Sequence, residues 1–268
     1  MPNPNINRRV VLKGSVMPNS LIASWYDALV IKPSPSLLTA LNQLTWGLSS
    51  NGIWTELDLF HPIGGLETDE QRLRPLITTS TTKTFTNVNS VTLDSTGATG
   101  NGTTSYINTN WNATTDGIKF IQNSASMGVY NRTNSTGDLY EIGAFVFVGN
   151  KNQYLASKNA ANNQQVTINS VTNLNSATSD SLGLRSGVRT AVNARASYVN
   201  GVSIGSDAGA AGSIVTINTF LCGVNGDGAL YKPSNRNISL LFLGSGAINQ
   251  LTFYNHIQTY MTSRGISV

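Results

Sequence analysis

Val188-Arg189-Thr190-Ala191-Val192-Asn193-Ala194-Arg195-Ala196-Ser197-Tyr198-Val199 runs into Asn200-Gly201 and then Val202-Ser203-Ile204. Val188, Thr190, Val192, Ala194, Ala196 and Tyr198 take alternate positions with Arg189, Asn193, Arg195 and Ser197 between them, the period of a strand with one polar face. Asn-Gly suits a type I′ turn, in which both central residues have positive φ, so the stretch predicts a β-hairpin. Eight further segments are rich in Val, Ile, Thr, Tyr and Phe and are bounded by Gly, Asn, Ser and Asp: 84–92, 105–111, 125–132, 140–148, 153–157, 165–169, 214–223 and 238–243. Many strands separated by short turns predict a two-sheet sandwich or jelly roll.

Composition agrees. Asn (31), Ser (29) and Thr (29) outnumber the charged residues, which are 11% of the 268 positions, and there are 25 glycines. Short uncharged polar side chains favour turns, caps and the solvent face of strands over helix interiors. Helices are expected in two places. Ser34 as N-cap and Pro35 at the first helical position lead into Leu37, Leu38, Leu41, Leu44 and Leu48, ending at Asn51-Gly52. Ile53, Trp54, Leu57 and Phe60 continue at helical spacing to His61-Pro62, which predicts a second short helix and hence a helical hairpin. A closing helix is expected over 247–263, with Leu251, Tyr254, Ile257 and Met261 on its apolar stripe and Gly265 after it. Residues 1–35 hold five prolines and no sustained periodicity, and read as an extended arm. The expected division is an arm for docking over 1–35, the helical hairpin and linker over 36–75, and the β-sandwich with its closing helix over 76–268.

Several function classes are excluded or demoted. One cysteine, Cys222, rules out an internal disulfide and a Cys-based zinc site. The net charge of +4 is spread thinly with no Lys/Arg cluster, so nucleic acid is not expected as a partner. Membrane insertion is not expected either, since no run of eighteen apolar residues occurs, and the first seventeen residues lack a signal-peptide block. The charge is asymmetric: residues 142–268 carry 8 positive and 3 negative side chains.

Particular residues resemble a known family. Gly100-Asn101-Gly102-Thr103-Thr104-Ser105-Tyr106-Ile107-Asn108-Thr109, followed by Gln122-Asn123-Ser124-Ala125-Ser126-Met127-Gly128-Val129-Tyr130, is similar to a domain of tailed-phage virion proteins and related bacterial surface proteins. Ala194 to Gly201 resembles the strand and turn of laminin-G-like and concanavalin A-like lectin/glucanase sandwiches. Leu240-Leu241-Phe242-Leu243-Gly244-Ser245-Gly246 leads into the closing helix as in the phage proteins, and Leu38 to Leu59 resembles their leading helical segment. The resemblance covers residues 36–266. It implies a concanavalin A-like jelly-roll sandwich and a virion location, as a head fibre, capsid decoration or tail-fibre component. Residues 1–35 would dock on other virion proteins, and the chain would form a homo-oligomer, a trimer among the options. The analogy is one of fold, so function must be argued from a site.

Sugar recognition needs flat aromatic faces and planar hydrogen-bonding groups. Trp111, Tyr130, Tyr154, Asn193 and Arg195 are the candidate carbohydrate-binding residues, with Arg189 as an electrostatic helper towards acidic host-surface glycans, and Tyr198 is assigned to the core. The alternative is a depolymerase of host surface polysaccharide. Glycoside hydrolases on this fold use a Glu-x-Asp-x-Glu strand; only Glu56-Leu57-Asp58 approximates it, Phe60 stands at the third acidic position, and the segment reads helical. No catalytic residue is assigned. His61 and His256 read as structural. Asp116, Asp138, Asp207 and Asp227 lie in loops of the kind that hold calcium, without a ligand spacing, so no metal site or cofactor is assigned.

Overall fold

The computed structural model describes residues 16–79, 83–149 and 151–268. Two helices lead, α1 (Ala23–Ala28) and α2 (Pro35–Ser50). They are followed by β1 (Leu57–Pro62), α3 (Asp69–Leu73), β2 (Ile77–Thr78), β3 (Thr86–Val88), β4 (Thr92–Asp94), β5 (Gly97–Thr99) and β6 (Tyr106–Asn112). One helical turn, α4 (Ala113–Asp116), precedes β7 (Ala125–Asn131), β8 (Ile142–Val146), β9 (Lys151–Ala156), β10 (Asn163–Ile168) and β11 (Leu174–Ala177). The chain continues through β12 (Gly183–Ala191), β13 (Ala194–Val199), β14 (Val202–Asp207), β15 (Asn218–Leu221), β16 (Val224–Gly226), β17 (Ala229–Tyr231) and β18 (Asn237–Gly244) to α5 (Gln250–Ser263).

The strands form two sheets that pack as a jelly-roll-like β-sandwich. Sheet A runs β14-β13-β12-β7-β18-β1-β2, with β5 on β18 and β4 on β5; sheet B runs β11-β10-β9-β8-β15-β6-β3, with β16 on β8 and β17 on β16. Among the described residues, pairing is antiparallel except between β16 and β8. Two apolar layers result. Leu59, Met127, Val129, Leu241 and Leu243 of sheet A meet Ile107, Trp111, Ile142, Leu155, Val166 and Ile168 of sheet B. Phe60, Tyr130, Leu184, Leu240 and Phe242 point from the other face of sheet A into α1, α2 and α5. The order of layers is therefore helices, sheet A, sheet B, and sheet B keeps an outer face that those helices do not reach.

Local chemistry explains the helices. The Ser34 Oγ accepts the Leu37 N–H at 3.2 Å, Pro35 needs no donor at the first position, and the five leucines of α2 are buried. Asn249 caps α5 through the Thr252 N–H at 3.0 Å. This helix starts three residues later than the sequence predicts, and its buried stripe is Phe253, Ile257, Tyr260 and Met261, with Leu251 exposed. Among the described residues, no helix is long and apolar enough to cross a membrane.

The expected helical hairpin does not form. Trp54–Glu56 makes one 3-10 turn, and Leu57–Pro62 is β1, paired with β18 and β2. A strand covered on both faces carries apolar residues at successive positions. Leu57 and Phe60 face the helices and Leu59 and Ile63 the inter-sheet core, which produced the helical spacing by coincidence. Sheet A therefore draws a strand from upstream of residue 76. Ile22, Trp25 and Leu29 are buried against α2, and the Trp25 Nε1 donates to the Arg74 carbonyl at 2.8 Å, so this part of the expected arm is packed on the body. Residues 1–15 of that arm lie outside the described residues.

The stretch 188–199 is two strands with a turn at Val192-Asn193, and Asn200-Gly201, at φ 50° and 78°, makes the predicted I′ turn into β14. The faces of β13 are the reverse of the expectation. Arg195 and Ser197 are buried and Tyr198 is only half-buried, because this end of the sandwich interior is polar. The Gln164 Nε2 there donates to the Ser197 Oγ (2.7 Å) and the Ser186 carbonyl (3.1 Å).

Candidate functional site: an aromatic cleft on sheet B

Ile142, Ala144, Leu155, Val166 and Ile168 of β8, β9 and β10 are fully buried, all but Ala144 within the inter-sheet core, so strand alternation turns Gly143, Phe145, Asn152, Tyr154, Gln165 and Thr167 to the outer face. Register sets Phe145 opposite Asn152 and Tyr154 opposite Thr167. On the other side β16 runs parallel to β8, pairing Gly226 with Phe145, and its hairpin partner β17 brings in Tyr231. A Cβ on Gly226 would lie 2.6 Å from the Phe145 Cζ, so glycine is what admits the ring. Phe145 packs edge-on against Phe147 (4.9 Å), Tyr231 (5.1 Å) and Tyr154 (6.4 Å), and Tyr154 against Tyr140 (5.1 Å).

These rings wall a cleft of about 390 Å³ that Asn152, Gln165 and Asn173 also line. Its size falls in the range of about 300–1,000 Å³ usual for small-molecule sites. Phe147 is 71% exposed and Tyr231 47%, large rings held in water at the rim. The floor is hydrogen-bonded. Asn173 Oδ1 accepts from the Tyr154 hydroxyl at 2.9 Å and from the Thr167 hydroxyl at 2.6 Å, which orients the Asn173 amide. Asn152 Nδ2 donates to the Ser170 carbonyl at 3.1 Å, leaving its own carbonyl oxygen as an acceptor. Burial pushes the Tyr140 and Tyr154 phenols up, so both stay protonated at ordinary pH.

The cleft contains one of the five sequence-predicted residues. Tyr154 lines it. Trp111 is fully buried between the sheets, edge-on to Phe120 at 5.7 Å, and cannot offer a face to a ligand. Tyr130 lies under α5, its hydroxyl donating to the Gln258 Oε1 at 2.9 Å. Asn193 is exposed in the β12–β13 turn. Arg195 is 3% exposed and spent internally: it binds both Asp207 oxygens (2.6 and 2.8 Å) and the Thr172 carbonyl and hydroxyl. The expected helper Arg189 is buried too, donating to the carbonyls of Ile168, Ala191, Val192 and Gly209. The structure thus does not bring these five residues together. Tyr140, Phe145, Phe147, Asn152, Gln165, Asn173 and Tyr231 were missed, although Phe145/Phe147 and Asn152/Tyr154 at i, i+2 are the pattern of one strand face.

The acidic groups have structural partners. Asp58 is on β1, not on a helix, and its buried carboxylate accepts the N–H groups of Ile118 (2.9 Å), Lys119 (2.8 Å) and Phe120 (2.7 Å). Glu56 stands 3.9 Å from Lys119. Glu141 and Arg236 form a fully buried ion pair. Asp116, Asp138 and Asp207 pair with Lys83, Lys232 and Arg195, and the Asp227 carboxylate accepts the Phe147 N–H at 3.1 Å. Among the described residues no three His, Cys, Asp or Glu side chains come together as a metal cluster. His61 is buried with its Nε2 on the Arg72 carbonyl, and His256 Nε2 lies 3.1 Å from the Asn51 amide.

No protein-family model matches the chain, and no curated protein matches it in sequence. Solved structures do resemble it. The sialidase of Trypanosoma rangeli, in complex with 2,3-difluorosialic acid as a covalent intermediate, aligns with a TM-score of 0.53 at 12% identity, over 87% of this chain and 39% of that one. The binding domain of botulinum neurotoxin serotype D aligns with a TM-score of 0.50 at 11% identity, over 75% of this chain and 51% of that one. Domain 4 of a Geobacillus stearothermophilus extracellular arabinanase, in complex with arabinotriose, aligns at 0.48 with 16% identity, over 76% and 98%. The chain spans about two fifths of the sialidase and half of the toxin domain, and at these identities the first two likenesses are of fold.

Proposed function

We propose that the chain is a carbohydrate-binding β-sandwich and that the outer face of β8, β9 and β10 is its binding surface. One observation carries the reading: a solvent-open cleft in which Tyr140, Phe145, Tyr154 and Tyr231 alternate with Asn152, Gln165 and Asn173. Sugar rings present apolar C–H faces that pack on aromatic rings, and hydroxyls that need both donors and acceptors, which the amides and phenols supply. None of the described residues that line the cleft is acidic, and this weighs towards binding over hydrolysis, which needs two carboxylates about 5–9.5 Å apart.

The resemblance to tailed-phage virion proteins supplies the setting of the proposal: a virion component, mounted by the part of the expected arm that precedes α1 and displaying the sandwich to host-surface glycans. Many displayed copies would turn a shallow cleft into useful avidity. A glycan array probed with multivalent full chain tests the binding reading. Binding that is lost in Tyr154→Ala and Tyr231→Ala and kept in Asn193→Ala supports it, whereas no binding, or binding indifferent to both tyrosines, refutes it. Deletion of residues 2–15, which keeps the packed Ile22, Trp25 and Leu29, tests the mounting role: unchanged incorporation into particles removes it.

A further inference from the structure

Resting on the binding reading above, we infer that the cleft selects uncharged glycans and discriminates against acidic ones, against the expectation that the net charge of residues 142–268 creates. The charge count misleads because the arginines are consumed inside. Of the eight cationic side chains in that stretch, Arg185, Arg189, Arg195 and Arg236 are buried. Arg185 pairs with Asp180 and donates to the Leu182 carbonyl, and Arg236 pairs with Glu141. Arg195, whose partner Thr172 adjoins the cleft residue Asn173, is neutralised by Asp207. None of these guanidinium groups is left to meet a ligand.

Among the described residues the lining is uncharged: Tyr140, Tyr154, Tyr231, Asn152, Gln165 and Asn173 with apolar neighbours. At the rim Lys232 lies 5.8 Å from the Tyr231 ring centre but is bound to Asp138 at 2.7 Å, and Lys151 of β9, opposite Val146, takes the alternate position with buried Gln153 and Leu155, so alternation turns it away from the outer face that Asn152 and Tyr154 share. Asp227, behind Phe147, adds a further negative charge. An ionised carboxylate entering the cleft would lose water without gaining a cation. A hydroxyl would meet the amides and phenols on equal terms. Selection thus comes from the penalty on the charged ligand, not from extra attraction to the neutral one.

The test is a glycan array of matched oligosaccharides, each neutral member paired with its uronic-acid or sialylated counterpart, probed with the full chain. Neutral members bound at least about tenfold more tightly than their acidic partners are expected. Affinity for them should be flat between about 0.05 and 0.5 M salt, because no ion pair is screened. Equal or tighter binding of the acidic partners overturns the selectivity and leaves glycan binding standing; no binding to any member overturns both. Asn152→Lys puts a cation on the cleft wall and should narrow or reverse the preference, and an unchanged preference in that variant counts against the electrostatic explanation.

Discussion

Gly143 of β8 stands directly opposite Tyr154 of β9, and a Cβ at position 143 would lie 2.4 Å from the Tyr154 Cβ and 2.4 Å from the Gln153 carbonyl oxygen. The cleft's central tyrosine therefore sits on bare backbone. Gly143→Ala is expected to push Tyr154 out of place and cost about 1–3 kcal/mol, since overpacking against backbone cannot relax cheaply. Urea unfolding measures the stability, and ligand titration the accompanying loss of affinity. A variant as stable and as active as the parent would show that the close approach does not constrain the cleft.

The buried Glu141–Arg236 pair predicts an asymmetric mutant cycle. Both side chains are fully buried, and the Ser157 N–H also depends on Glu141. Arg236→Met alone strands a buried carboxylate and should cost about 3–5 kcal/mol. Adding Glu141→Gln removes the stranded charge while keeping an acceptor for Ser157, and should recover a large part of that loss. Chemical denaturation of both single variants and the double variant gives the coupling.

Acid sensitivity should trace in part to Asp207. The hydrogen bonds from the Arg195 guanidinium hold its carboxyl below the usual carboxylate range. A depressed folded-state pKa means stability that is present above the unfolded-state value of about 3.9 and is lost as pH falls through the folded-state value. Asp207→Asn should lower stability at pH 7 by about 1–2 kcal/mol, reduced by solvent screening of the half-exposed carboxylate, and flatten the acid limb of the stability curve. A parallel downward shift of the whole curve would assign the effect to packing instead.

Cys222 is fully buried with its thiol pushed up to about 12, so the thiolate is scarce in the native state. Native protein should resist Ellman's reagent at pH 8 and react fully once unfolded in guanidinium. Rapid native-state labelling would mean that the β15–β16 corner opens locally.

Much of the fold was legible in the sequence. The Asn200-Gly201 turn and the Ser34-Pro35 cap each mark their element locally, and local chemistry suffices there. The failures share a cause. β1 and β13 are buried on both faces or face a polar interior, so side-chain character stops reporting which way a residue points. The same limit hid the site. Trp111 and Tyr130 have the chemistry of sugar platforms, but burial decides their role, and burial depends on α5 and the opposite sheet. Arg189 and Arg195 look like free cations until the carbonyls and carboxylate around them are assembled by contacts distant in sequence. The cleft itself needs β8, β9, β10 and the β16–β17 hairpin together, a juxtaposition with no local signature.

The most direct test of the central claim is an amide chemical-shift map of the full chain titrated with the strongest-binding oligosaccharide from the array. The account predicts perturbations confined to β8, β9, β10 and the β16–β17 hairpin, centred on Tyr154, Asn173 and Tyr231, and absent in Tyr154→Ala. Perturbations centred on the α2–α5 face or the β12–β13 turn, or none at saturating sugar, would contradict it.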